Sequence, residues 1–154
     1  MKEKKEASFE ELLSKVKAEQ AELFLQVHKD ILLHGDIRDF KTFMKEYFDF
    51  HKVNRSLIFS KCGLSDKYGY SIIYGDKHTS KRDYIISICF LAGMRKEECN
   101  IALELYGMNR LMPRVKRDAL IIVAFHDCDR RDLSEINDLL TASGENSLEQ
   151  SNNL

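Results

Sequence analysis

Along most of the 154-residue chain, apolar residues recur every three or four positions, the spacing of one face of a helix. Ile37, Phe40, Phe43, Met44, Tyr47 and Phe48 share such a face and predict a helix over 36–50. Upstream, Ser8-Phe9-Glu10-Glu11 has the form of a capping box and Gly35 is a natural stop, which predicts a long N-terminal helix. Within it Phe9, Leu13, Val16, Gln20, Leu23 and Val27 alternate steps of four and three, a coiled-coil seam with one polar member. That seam fits a homodimer through residues 9–27. Leu12, Phe24, Ile31 and Leu32 widen the stripe, so it fits equally a helix lying on its own domain.

Start and stop signals crowd together in residues 54–75. Asn54 can cap a short helix, Gly63 makes a turn, Ser65 can cap a second helix, and Gly75 ends it. Two short helices joined by a few residues that include a glycine form a helix-turn-helix unit, a recognition device rather than a catalytic one. Gly69 falls inside the second helix, where glycine costs on the order of 1 kcal/mol relative to alanine. The expected compensation is a close backbone approach, either to a neighbouring helix or to a ligand surface. Beyond a polar connection at 76–80, Ser80 is expected to cap a helix from Lys81 to about Ala92.

The C-terminal half repeats itself. Lys81-Arg82-Asp83 and the apolar run after it return as Lys116-Arg117-Asp118, offset by 35. Glu98, Asn100, Leu103, Gly107, Asn109 and Leu111 return as Glu135, Asn137, Leu140, Gly144, Asn146 and Leu148, offset by 37. Each copy reads as a helix, a link, a second helix closed by glycine and an Asn-x-Leu tail. Periods in the thirties belong to arrays of helical pairs, so the copies are expected to stack. The only proline, Pro113, stands near the start of the repeated helix.

These elements predict an all-α chain: a long N-terminal helix over 1–35, a helix-turn-helix domain over 36–94, and a helical extension over 95–148. The tandem helix-pair repeat spans 81–111 and 116–148, and the polar end, 149–154, is expected to fray.

Composition narrows the function. The net charge of −1 exerts no global pull on nucleic acid, but residues 51–83 hold seven basic residues to three acidic, between acidic flanks. Cys62, Cys89, Cys99 and Cys128 lack CxxC spacing and lie in apolar helical segments, as buried reduced thiols of a cytoplasmic protein would. The N-terminus lacks a signal-peptide pattern, and no apolar run is long enough for a membrane span. The stretch His126-Asp127-Cys128-Asp129-Arg130-Arg131-Asp132 fails as a calcium loop: arginine stands at the fifth position and aspartate where glycine is required. It reads instead as a link capped by Asp132. Phosphate-binding glycine loops, a nucleophile elbow and paired histidines are missing. The sequence therefore predicts a non-enzyme without cofactor or metal.

Residues 54–75 resemble the bacterial and phage Cro/repressor-type helix-turn-helix family, through Ile58, Gly63-Leu64-Ser65, Ile72, Gly75 and the basic Lys77. Tyr68-Gly69-Tyr70-Ser71-Ile72 together with Arg82-Asp83 and Arg117-Asp118 resembles an uncharacterised subgroup with a helical C-terminal extension. The resemblance covers about 36–148. It implies a repressor-like DNA-binding domain and transcriptional regulation, with Arg55 touching phosphate or a base edge. Ser65, Asp66, Lys67, Tyr68 and Ser71 would face the major groove and Lys77 would meet phosphate. The chain departs from the family at Phe59, Arg55 and Gly69; bulky Phe59 is expected to fill the space that Gly69 leaves. For Tyr70 and Tyr74, core or interface packing ranks ahead of base contact. The other reading is an adaptor that keeps the fold without binding DNA and takes a protein partner on its C-terminal repeat.

Overall fold

The computed structural model describes residues 13–27, 37–75, 79–127 and 131–150, and every regular element among them is helical. A short 3-10 turn, Ala18–Gln20, leads into α1 (Ala21–Val27). There follow α2 (Ile37–His51), α3 (Arg55–Lys61), α4 (Asp66–Tyr74), α5 (Arg82–Leu91), α6 (Lys96–Leu105), α7 (Lys116–Asp127) and α8 (Leu133–Ala142). None of these helices is long and apolar enough to cross a membrane. The chain divides into two compact units, Met1–His34 and Gly35–Leu154.

In the first unit the expected long helix is interrupted. Residues 15–17 leave the helical path, with Lys17 extended at φ −76° and ψ 144°. The continuous seam from Phe9 to Val27 is thus broken between Leu13 and Gln20, and Leu23 remains 68% exposed. Nothing in the residue types forces the break. Short helices are marginal in water unless packing supports an apolar face, and here Leu13 and Leu23 are exposed while Val16, Phe24 and Leu25 are half-buried. The capping box at Ser8 and the stop at Gly35 lie outside the described residues.

The second unit is built on α2. Its 3.6-residue pattern buries Phe40, Met44, Tyr47 and Phe48, and the helix packs on both α4 and α6. Each such side chain contributes roughly 1.5–3 kcal/mol through removal from water. Residues 36–94 and 95–148 therefore share one core. Phe40 meets Tyr106 edge-on at 4.7 Å, and the Tyr106 hydroxyl accepts the Thr79 N–H at 2.8 Å, fastening the connection before α5 to α6. Cys62, Cys89 and Cys99 are free and buried, and burial pushes the Cys62 thiol up to about 12. Cys128 lies outside the described residues.

The helix starts follow from local hydrogen bonding. Asn54 Oδ1 accepts the Leu57 N–H, Ser65 Oγ that of Tyr68, and Asp132 Oδ1 that of Ser134. Helix α5 departs from expectation. Its cap is Lys81, whose own N–H is taken by Thr79 Oγ1, while Ser80 stands exposed one residue outside. Between α7 and α8, Arg131 donates to the carbonyls of Phe90, Met94 and Phe125 and lies over the Phe90 and Phe125 rings. Its role is to close two helix C-termini. Among the described residues no group of His, Cys, Asp or Glu gathers as a metal site.

The repeat is real but its operator is not a translation. Arg82 forms a bidentate pair with Asp118 at 2.9 Å, and Arg117 forms one with Asp83 at 2.8–2.9 Å. The same arginines donate to tail carbonyls of their own copies: Arg82 to Asn109 and Arg110, Arg117 to Asn146 and Ser147. Each aspartate accepts an N–H from the opposite tail, Asp118 from Met112 and Asp83 from Glu149. Asn100 and Asn137 accept from Leu111 and Leu148 at 2.8 and 2.9 Å. In a translational stack the contact of residue i with j′ is not accompanied by that of j with i′. Here both exist, the mark of a two-fold relation. The first turns of α5 and α7 meet, and Phe90 and Phe125 near their far ends meet edge-on at 5.3 Å. The two helices therefore run side by side in the same sense, with the pseudo-axis between them. Pro113 occupies the second position of the turn from Met112 to Val115 that joins the halves, three residues before α7. Glu149 is held by Asp83, so the C-terminal segment stays attached past Leu148; residues 151–154 lie outside the description.

Candidate nucleic-acid interface

Helices α3 and α4 are fixed to one another by a turn, a strut and a close approach. In the turn, Gly63 has φ +72°, the left-handed conformation that closes a helix. The Leu64 N–H then donates back to the Phe59 carbonyl at 2.8 Å, and the Leu64 side chain is buried. The strut is the hydrogen bond from Ser56 Oγ to Asp66 Oδ2 at 3.2 Å, which links the first turns of α3 and α4. The close approach is between Phe59, fully buried, and the backbone of Gly69, as the pairing of those two departures predicts.

Helix α4 buries Gly69, Ile72 and Ile73, positions i, i+3 and i+4. The opposite face carries Lys67, Tyr70, Ser71 and Tyr74, of which Lys67 and Tyr70 are exposed and Ser71 and Tyr74 half-buried. Asp66 is exposed at the helix start, where its charge suits the dipole. Ser65 acts as the cap. Tyr68 turns to the flank and meets Tyr84 of α5 edge-on at 6.4 Å. Of the expected set, Lys67 and Ser71 thus share the accessible side, whereas Ser65 and Tyr68 are used within the fold and Asp66, though exposed, accepts the Ser56 hydroxyl on the flank toward α3. Lys77 lies outside the described residues.

Arg55 is committed to the protein. It pairs with Asp49 at 2.6 Å, and its guanidinium lies 5.4 Å from the Phe48 ring centroid and 5.5 Å from that of Tyr74. Its side chain is only 25% exposed, so it knits the end of α2 to α3 and α4 rather than reaching outward as the resemblance implies. Lys45 and then Arg55 hold the Asp49 carboxyl below its ordinary range. Burial raises the Tyr74 hydroxyl despite Arg55 beside it.

For Tyr70 the sequence places core or interface packing ahead of base contact. Its ring does pack, edge-on to Phe59 at 5.2 Å and stacked on Tyr74 at 6.0 Å, yet it remains 39% exposed. The signal was available, since Lys67, Tyr70, Ser71 and Tyr74 stand at i, i+3, i+4 and i+7. Lys52 and Lys61 are also exposed in this part of the molecule, Lys52 with φ +52° at the end of α2. Comparison of the chain with family models, with curated proteins and with solved structures finds no match.

Proposed function

We propose that the protein is a cytoplasmic DNA-binding regulator that presents α4 to the major groove of duplex DNA. The observation that carries this reading is the division of α4 into a buried stripe, Gly69, Ile72 and Ile73, and an accessible face with Lys67, Tyr70 and Ser71. A helix held by one face with hydrogen-bonding side chains on the other is the shape a major groove admits. Lys67 suits guanine O6 and N7, and Ser71 tolerates several bases. Lys52, Lys61 and Lys77 supply charge for phosphates, the sequence-independent part of the affinity. Pairing of two chains through residues 9–27 would offer two such helices to adjacent half-sites. It would require that segment to become continuous helix on association, and sedimentation over a concentration series tests it.

The test is fluorescence anisotropy on random duplex DNA over a salt series. Affinity should fall linearly on logarithmic axes, with a slope of about −0.9 for each phosphate neutralised. Lys67→Glu with Lys77→Glu should abolish binding and leave thermal stability nearly unchanged. A flat response at low salt would overturn the DNA reading. It would favour the adaptor alternative, for which the half-exposed aromatic Tyr70 and the committed Arg55 speak.

A further inference from the structure

The pseudo-two-fold makes each feature of the first half a template for the second, and one feature of the first half has no counterpart among the described residues. In the first half the outer surface of the helical pair is covered: α2 packs on α6 and α3 on α5. Tyr47 of α2 donates its hydroxyl to the Ala92 carbonyl at 3.3 Å, and Ile88 and Ala102 have no exposure at all. By the offsets of the repeat, Ile88, Ala92, Glu98 and Ala102 correspond to Val123, Asp127, Glu135 and Leu139. Val123 is 49% exposed, and Leu139 is only partly buried. These residues with Ala124 and Asp138 line a groove of about 450 Å³ between α7 and α8.

The substitutions within that template change its chemistry. Asp127 stands where the first half has Ala92, and Asp138 where it has Ile101. Glu135 Oε1 is buried without a hydrogen-bond partner. The floor, Val123, Ala124 and Leu139, remains apolar. We propose that the α7–α8 groove docks an amphipathic helix of another protein, apolar on the face it buries and bearing lysine or arginine where α2 carries Tyr47. The long cationic side chain would reach Asp127 and the orphaned Glu135 oxygen, and a second would meet Asp138 at the rim. The chain's own amphipathic segment is the wrong partner by charge: residues 9–27 carry Glu10, Glu11, Glu19 and Glu22 against Lys15 and Lys17. The groove lies outside the face used for DNA, so the two activities are separable.

The test uses the full chain labelled with nitrogen-15 and two synthetic helical peptides with the same leucine face, one with lysine and arginine on its polar face and one with glutamate. The basic peptide should shift the amide signals of Val123, Glu135 and Leu139, and the acidic one should leave them unmoved. Asp127→Lys with Asp138→Lys should weaken the basic peptide about tenfold, the sum expected for two solvent-edged ion pairs. Lys67→Glu should leave peptide binding intact. Equal binding of both peptides, absence of binding, or shifts confined to α3 and α4 would overturn the proposal. Concentration-dependent self-association that shifts the same amides would assign the groove to a second copy and overturn it as well.

Discussion

Phe59 lies against Gly69 so closely that a Cβ on Gly69 would stand 2.6 Å from both Cδ carbons of the phenyl ring. In an open helix, Gly69→Ala would stabilise by on the order of 1 kcal/mol through propensity alone. Here overpacking of about 1–3 kcal/mol wins, and Gly69→Leu should cost at least as much. Phe59→Ala should by itself destabilise through its cavity, while the double variant Phe59→Ala, Gly69→Leu should recover part of that loss. Denaturant melts of the four proteins measure the coupling; strict additivity would refute the close-approach account.

The reciprocal ion pairs predict symmetric effects from distant positions in the sequence. Asp118 is 5% exposed and Asp83 9%, so removing one partner leaves a largely desolvated charge. Arg82→Asp and Arg117→Asp should each destabilise by about 3–5 kcal/mol. The exchange Arg82→Asp with Asp118→Arg should restore a large part, and Arg82→Asp with Asp83→Arg should not, because both pairs would then face like charges. Thermal unfolding followed by circular dichroism distinguishes the two doubles.

The same pairs set a pH dependence. Burial alone would raise the Asp118 carboxyl, but the Arg82 guanidinium and the Met112 N–H outweigh it and hold the group below its ordinary 3.8. A carboxylate depressed in the folded state contributes stability that is present above 3.8 and lost as pH falls through the folded value. The stability gap between the wild type and Asp118→Asn, wide at neutral pH, should therefore narrow only below that point. A gap that closes near neutrality would point to a histidine instead.

Lys52 ends α2 in the left-handed conformation, φ +52°, with the Val53 N–H returned to the Phe48 carbonyl at 3.0 Å. That conformation costs an ordinary residue about 1–2 kcal/mol, which glycine avoids at a smaller entropic cost. Lys52→Gly should raise the denaturant midpoint by about 0.5–1 kcal/mol equivalent. If the lysine also meets phosphate, the same variant should weaken DNA binding and flatten its salt dependence.

What the sequence made legible is local. The apolar spacing of Phe40, Met44, Tyr47 and Phe48, the caps Asn54, Ser65 and Asp132, and the Gly69–Phe59 pairing all depend on residues within a few turns of one another. The repeat was visible too, but equality of two segments does not reveal the rotation that relates them. That is fixed by Arg82 and Asp83 being neighbours, so that each copy offers both partners and the pairs can cross. Arg55 illustrates the opposite limit: its position in the motif suggested an outward reach, and only the fold brings Asp49, Phe48 and Tyr74 around it. The break at 15–17 has no signature in the propensities or spacing of the residues around it.

Because the two halves answer one another across a rotation, the module is finite by construction. A translational solenoid keeps an open end on which further units can be laid, and its length is free to drift. Here Arg82, Asp83, Arg117 and Asp118 consume one another entirely, so a third copy would arrive to find no cation and no carboxylate left to greet it. What such a module leaves open is its periphery, the helices laid over the pair and the groove left bare.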